Sequence, residues 1–196
     1  SNIRYIGKNL YIEKLSVINI AKKNRTPFYL YSKNQLKENY SKFVNVFKKI
    51  NPLICFAAKS NSNLTILRTL GKLGAGADVV SGGELLKALK AGISANKIVF
   101  SGVGKNEEEL KIAISKKILL INCESENEAI LINKIARKLN KTVAIGFRLN
   151  PNIDAKTHNK ISTGKADNKF GISIITHIQD VYPESLSTKI PILIFK

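Results

Sequence analysis

Short apolar runs alternate with segments of helical periodicity along most of this 196-residue chain. The apolar runs predict strands over residues 28–31, 53–59, 77–80, 98–100, 118–123 and 142–149. Between them apolar residues recur at helical spacing, and Ser-x-x-Glu at 81–84 and 125–128 has the spacing that begins a helix. Six βα repeats in a row predict a parallel sheet with right-handed crossover connections.

A parallel sheet of this kind has two layouts, a doubly wound sheet and a (β/α)8 barrel. Residues 31–34, after the first predicted strand, are not the glycine-rich loop that a nucleotide-binding doubly wound sheet carries there. The unbroken alternation therefore favours an α/β fold of the (β/α)8 TIM-barrel type, incomplete at about six βα units. Beyond Gly171 the pattern weakens, and only residues 172–175 and 190–195 have the composition of strands.

The formal net charge of +18 raises nucleic acid or an anionic membrane as partners. However, 27 of the 32 basic residues are Lys, and they are scattered among Asn and Ile rather than grouped with Arg and aromatic residues. We therefore expect solvated lysine-rich faces, with no nucleic-acid or membrane partner. Cys55 and Cys123 lie in apolar runs without CxxC spacing, which predicts reduced thiols in a cytoplasmic protein and no metal site.

Three charged residues are predicted on the small, inward faces of strands. In the second predicted strand, Cys55, Ala57 and Lys59 alternate with bulkier residues, so Lys59 ends the small face. The same alternation places Asp78 and Arg148 among small residues of their own strands. The carboxyl end of a barrel strand is the catalytic face, and isolated inward charges are costly, so we expect the three to be neighbours there. The alternative is an ordinary surface position at a strand end.

A lysine held in a partly dry pocket can attack an aldehyde, and pyridoxal 5′-phosphate (PLP) is the usual partner in that chemistry. The glycine loops at 81–83 and 101–104 are candidates for its phosphate, although ordinary turn glycines explain both. His158 lies in a polar loop past the sixth predicted strand, where a loop hydrogen bond is the simpler interpretation.

A series of short motifs lies between about residues 10 and 172. They are T-P-F-Y-L-Y at 26–31, F-A-A-K-S-N at 56–61, G-A-G-A-D-V-V-S-G-G-E-L at 74–85, K-I-V-F-S-G at 97–102, R-L-N-P at 148–151, T-H-N-K-I-S-T-G at 157–164 and K-F-G at 169–171. Together they resemble the diaminopimelate decarboxylase family, PLP enzymes of the alanine-racemase-like, fold-type III group. Ser60 departs mildly from the resemblance, because the family commonly has Ala there.

The resemblance implies that Lys59 forms a Schiff base with PLP and that Asp78 and Arg148 belong to the polar network around it. It implies a carboxy-lyase of lysine biosynthesis that converts meso-diaminopimelate to L-lysine and CO₂, with the PLP ring as electron sink. It also implies a homodimer when the protein is full length. The implied organisation is a lead-in segment at 1–25, a PLP-binding barrel portion at 26–172 and a divergent tail of unknown role at 173–196.

The tail departs from the resemblance. Family members continue past K-F-G into further barrel strands and a C-terminal β-domain, which supply a ring-stacking histidine, a phosphate-binding glycine loop and most substrate contacts. Residues 173–196 carry none of those motifs, and His177 lacks the H-x-G-S context. We therefore expect the β-domain to be absent from this chain, and a fragment or a form truncated after Gly171. The alternatives are a non-catalytic remnant, a PLP- or partner-binding module, or another fold-type III basic amino-acid decarboxylase.

Overall fold

A computed structural model of the chain describes residues 2–150, 171–173 and 192–195. At the amino-terminal end, strands β1 (Ile3–Ile6), β2 (Asn9–Ile12) and β3 (Leu15–Ser16) form a small antiparallel sheet. Helix α1 (Val17–Lys23) follows it directly. Helix α2 (Lys33–Val46) is capped by Ser32, whose side chain accepts a hydrogen bond from the Gln35 N–H. This sheet is separate from the main sheet that follows.

Strands and helices then alternate through the rest of the chain. The strands are β4 (Leu53–Ala57), β5 (Gly76–Val79), β6 (Ile98–Phe100), β7 (Leu120–Cys123) and β8 (Ile145–Phe147). The helices between them are α3 (Leu64–Lys72), α4 (Gly82–Lys90), α5 (Glu107–Ser115) and α6 (Glu126–Lys138). Short 3₁₀ turns lie at Ala58–Ser60 and Ala95–Lys97, and the remaining strands are β9 (Leu149–Asn150), β10 (Ile172–Ser173) and β11 (Ile192–Phe195).

The main sheet is parallel throughout and has the strand order β11-β4-β5-β6-β7-β8. From β4 to β8 each strand lies beside the next one in the chain, and the helices α2 to α6 contact one another in the same order. A doubly wound sheet reverses its strand order and has helices on both faces, whereas this sheet is wound in one direction. The predicted barrel-type architecture is therefore confirmed, as part of a barrel.

One face of the main sheet packs against the helices and forms the hydrophobic core. The strand side chains on this face are Ile54, Phe56, Ala77, Val79, Ile98, Phe100, Ile121 and Cys123. Leu67, Leu85, Leu110 and Ile132, one from each of α3 to α6, are buried against them. The predicted division into a bulky face and a small face is correct for the second and sixth predicted strands, and their small face is left for the inside of the barrel.

The first predicted strand, 28–31, is wrong. The structure has no strand there, and the side chains are exposed, Tyr29 by 90%. The outer edge of β4 is instead paired with β11, in a parallel register that joins Leu53 to Ile192 and Phe56 to Phe195. A run of aromatic residues has the composition of a strand, but it forms one only where a sheet edge is open to it. Five of the six predicted βα strands are present, with β11 as the sixth strand of the sheet.

Two further strand ends differ from the prediction. The strand predicted at 53–59 ends at Ala57, so Lys59 lies in the 3₁₀ turn that follows. The strand predicted at 142–149 is regular only over Ile145–Phe147, after which Leu149 and Asn150 pair with β10. The division of the chain at residues 25 and 172 stays a prediction, although β11 shows that part of the predicted tail joins the main sheet.

Three successive βα connections are fastened by a glutamate in the first helical turn. Asn106 and Glu109 form a complete capping box at α5. At α4 and α6 the Ser Oγ accepts from the Glu N–H as predicted, but the Glu carboxylate reaches one residue further back, accepting from the N–H of Val80 or Glu124. These bonds hold the carboxyl ends of β5 and β7 to the helices that follow them.

Candidate functional site

Lys59 lies just past the carboxyl end of β4, on the first tight turn that leaves the sheet. The Ser60 Oγ donates a hydrogen bond of 2.7 Å to the Ala57 carbonyl, which closes the turn around Lys59. The Lys59 side chain is exposed, while Ala57 and Ala58 before it are fully buried. The primary amine is therefore presented to solvent from a rigid, buried base.

Asp78 lies on the neighbouring strand β5 and faces the inside of the barrel. The sheet register pairs it with Ala57, two residues before Lys59, and its residue exposure is only 5%. Cys55 lies on the same face, and its pKa is raised to about 12 by burial and, to a smaller extent, by the charge of Asp78. Cys55 is therefore a protonated thiol at neutral pH and not a nucleophile. The inner face beside the strand of Lys59 therefore carries the buried carboxylate of Asp78.

The absence of a side chain at Gly76 is required by this packing. A Cβ there would lie 2.7 Å from the Cys55 Sγ and would also meet the Lys97 carbonyl. Gly146 holds the equivalent position on β8, where a Cβ would lie 2.8 Å from the Asn122 Oδ1. The small residues that marked the inner face in the sequence are therefore the ones that leave room there.

Arg148 lies at the far side of the sheet, immediately after β8. Its Nη1 donates to the Glu124 carboxylate, at 3.2 Å from Oε1, and its side chain is 40% exposed. Glu124 follows β7 and also accepts a hydrogen bond of 3.1 Å from the Gly171 N–H. Arg148 thus belongs to a cluster with Glu124 and Gly171.

The structure places Lys59, Asp78 and Arg148 at the same edge of the sheet, the edge formed by the carboxyl ends of the strands. Asp78 is next to the strand that carries Lys59. Arg148 is separated from that strand by β5, β6 and β7 in the strand order, and its Nη1 contacts Glu124. In the strand order, β6 and β7 lie between the strand of Asp78 and the strand that precedes Arg148. The cofactor roles assigned to the three residues stay predictions.

A buried lysine in the loop between β6 and α5 was not predicted. Lys105 has a side-chain exposure of 1%, and its Nζ donates to Gly102 O, Asn122 O and Glu128 Oε1 at 2.8, 2.6 and 3.0 Å. It also lies 5.6 Å from the centre of the Phe100 ring. These contacts tie the loop after β6 to strand β7 and to the first turn of α6.

The two glycine loops are structural. The Gly82 N–H donates to the Glu109 carboxylate at 2.7 Å, so this helix start already holds a protein anion. Gly102 has φ +124°, its added Cβ would contact Val80, and its carbonyl accepts from Lys105. Both fit the turn interpretation of the sequence. His158 and His177 lie outside the described residues.

Within the described part of the chain, no helix is both long and apolar enough to cross a membrane. The same residues contain no group of three or more His, Cys, Asp or Glu side chains placed to hold a metal ion.

Comparison with known proteins shows which sequences share this arrangement. The chain matches the family described as "Pyridoxal-dependent decarboxylase, pyridoxal binding domain" over residues 33–190. The diaminopimelate decarboxylase of Aquifex aeolicus is 45% identical over 172 residues, which cover 88% of this chain and 40% of that protein. The chain thus spans about two-fifths of the length of such relatives.

Solved structures agree with the sequence match. The crystal structure of diaminopimelate decarboxylase from Methanocaldococcus jannaschii superimposes with a TM-score of 0.84 at 38% identity, covering 98% of this chain and 46% of that chain. The Helicobacter pylori diaminopimelate decarboxylase complexed with L-lysine has a TM-score of 0.77 at 47% identity, covering 80% and 40%.

Proposed function

Since the chain belongs to the pyridoxal-dependent decarboxylases, through their pyridoxal-binding domain, we propose that Lys59 is the residue that binds PLP and that the protein acts in the decarboxylation of meso-diaminopimelate to L-lysine. The observation that carries this proposal is the position of Lys59. It is an exposed amine at the carboxyl end of a barrel strand, beside a strand with the buried carboxylate of Asp78.

The residues present fit the aldehyde end of PLP. A primary amine is the group that condenses with an aldehyde, and Lys59 offers one from the turn at Ala58–Ser60. Ala57, Gly76 and Gly146 keep the side chains of the inner face small beside the strand that leads to Lys59. Lys59 would hold the cofactor covalently, and Asp78 and Arg148 would contribute charge at the same edge. When bound, PLP supplies the electron sink that makes loss of a carboxylate as CO₂ feasible.

The residues around Lys59 would position its amine and set the charge beside it. The 3₁₀ turn at 58–60 fixes where the Lys59 amine begins, and the buried Ala57 and Ala58 keep that base rigid. Asp78 places a negative charge on the adjacent strand, which favours a positively charged nitrogen at the edge. Cys55 stays neutral beside it, so it does not compete for the aldehyde.

The substrate is proposed from the relatives. The relatives that are 43–51% identical to this chain are named diaminopimelate decarboxylases, and the H. pylori structure contains L-lysine, the expected product. We further propose that the full-length protein is cytoplasmic, which the two free, buried thiols support. The family resemblance also implies a homodimer, which we propose on that basis alone.

Borohydride reduction of the chain in the presence of PLP tests the cofactor role. We expect one phosphopyridoxyl group on the peptide that contains Lys59, found by peptide mass mapping, and its loss in Lys59→Ala. Lys87→Ala is the matched control, because Lys87 is also an exposed lysine and its Nζ bonds to Ser62 near the same turn. Labelling of Lys87 as readily as Lys59, or no labelling of Lys59, would contradict the proposal.

A further inference from the structure

Glu124 holds three parts of the chain together at the carboxyl-terminal edge of the sheet. It is the first residue after β7, and its side chain is only 9% exposed. One carboxylate oxygen accepts from Arg148 Nη1 at 3.2 Å and the other accepts from the Gly171 N–H at 3.1 Å. Its own N–H donates to the Glu128 carboxylate at 2.7 Å, so the backbone that carries it is fixed as well.

The two partners of Glu124 are packed directly against each other. The Ile172 N–H donates to the Arg148 carbonyl at 2.7 Å, and Leu149 pairs with Ile172 in the parallel β9–β10 ladder. Gly171 has φ +77°, and a Cβ there would lie 2.8 Å from the Arg148 carbonyl oxygen. Only glycine allows this approach comfortably. The position of Arg148 is therefore defined from the backbone side by Gly171 and Ile172 and from the side-chain side by Glu124.

The burial of its carboxylate distinguishes Glu124 from Glu126, the acid two residues later. Glu126 is exposed in the first turn of α6, where the helix dipole and water suffice for it. Glu124 is largely removed from water, where a carboxylate is stable only with charged or hydrogen-bonding partners. Arg148 and the Gly171 N–H are those partners, and a guanidinium contact of this kind fixes direction as well as charge.

We propose that Glu124 is a positioning residue of the PLP site, which holds the Arg148 guanidinium and the Gly171 backbone in place at the edge that carries Lys59. This inference rests on the proposed function. Glu124 acts through Arg148, so its effect on cofactor binding depends on the presence of Arg148.

A double-mutant cycle on PLP binding by the 196-residue chain tests the proposal. Affinity for PLP is measured from the absorbance of the lysine adduct for wild type, Glu124→Gln, Arg148→Gln and the double variant, with Glu126→Gln as the control. We expect Glu124→Gln to weaken binding about tenfold, the lower range for loss of a charge-assisted contact. Glu124→Gln in the Arg148→Gln background is expected to have almost no further effect, and Glu126→Gln is expected to bind like wild type.

Each outcome decides between the interpretations. Wild-type affinity in Glu124→Gln, or effects of the two variants that simply add, would overturn the positioning role. Circular dichroism and thermal unfolding accompany each variant, because a loss of fold in Glu124→Gln would make the residue structural and would equally overturn it. Glu124→Asp, which keeps the charge, is the second variant, and we expect it to recover part of the affinity. No adduct on Lys59 in the wild-type chain would instead refute the proposed function itself.

Discussion

The buried ion pair between Lys105 and Glu128 allows a quantitative prediction of stability. Lys105 Nζ lies 3.0 Å from Glu128 Oε1, with side-chain exposures of 1% and 9%. Substituting Lys105 by Met keeps most of the side-chain volume but removes the charge and three hydrogen-bond donors. Glu128 would keep only the Glu124 N–H, at 2.7 Å, among the contacts that the structure assigns to its carboxylate.

The expected loss is large compared with the stability of a small domain. Removing one partner of a buried pair typically costs about 3–5 kcal/mol, since the other charge is left without compensation. The whole free energy of unfolding of such a domain is about 5–15 kcal/mol. Glu128→Gln in the Lys105→Met background removes the remaining charge while its Oε still accepts from Glu124, so the double variant should recover about 2 kcal/mol or more of that loss.

Urea unfolding followed by far-ultraviolet circular dichroism measures these differences. Lys111→Met is the matched control, because Lys111 also forms ion pairs, with Glu107 and Glu108, but its side chain is 39% exposed. We expect its unfolding midpoint to be close to that of wild type. A Lys105→Met chain as stable as Lys111→Met, or a double variant no more stable than Lys105→Met, would refute the reasoning that the uncompensated buried charge dominates.

Two other predictions concern the inner face and the thiols. Gly76→Ala should lower the free energy of unfolding by about 1–3 kcal/mol, because the added Cβ overpacks against Cys55. Gly83→Ala is the control and should not lower it, since its Cβ would meet Ser81 Oγ at 3.8 Å. Equal urea midpoints for the two variants would contradict this prediction. Burial raises the pKa of Cys55 and Cys123 from 9.0 to about 12, so the unfolded thiols lose protons before the folded ones, and stability should fall as pH rises through that interval. Slopes of the urea midpoint against pH that are the same in Cys→Ala variants at both positions would show that the thiols are not responsible.

The inner and outer faces of the strands were predictable because they depend on local alternation. Small residues such as Ala57 and Gly146 alternate with Phe56 and Phe147, and the structure buries the bulky set against the helices. The same rule located Asp78 on the inner face beside the strand of Lys59. These features need only the order of side chains along one strand, which the sequence contains in full.

Pairing between distant segments was not predictable in the same way. The run at 28–31 has the composition of a strand, but the edge of β4 is taken by β11, more than a hundred residues further along the chain. Lys105 is one of 27 lysines, and it is distinguished only by acceptors that come from residues 102, 122 and 128. Its burial depends on how the loop after β6 meets strand β7 and helix α6, so no pattern around residue 105 marks it.

The inward position of Glu124 follows from the strand alternation in the sequence, but the capping-box spacing of the next helix hid it. Leu120, Asn122 and Glu124 alternate with buried Ile121 and Cys123, so the rule that turned Arg148 inward also turns Glu124 inward. The capping-box spacing that begins at Ser125 offers a sufficient explanation for acids in this region, through α6. The side-chain exposure of Glu124, 9%, shows that the strand rule governs it and that the helix rule applies from Ser125 onwards. An acid that ends an inward strand face should therefore be assigned to the edge of the sheet before it is assigned to the next helix. The double-mutant cycle of Glu124 and Arg148 measures whether this edge position of Glu124 also affects cofactor binding.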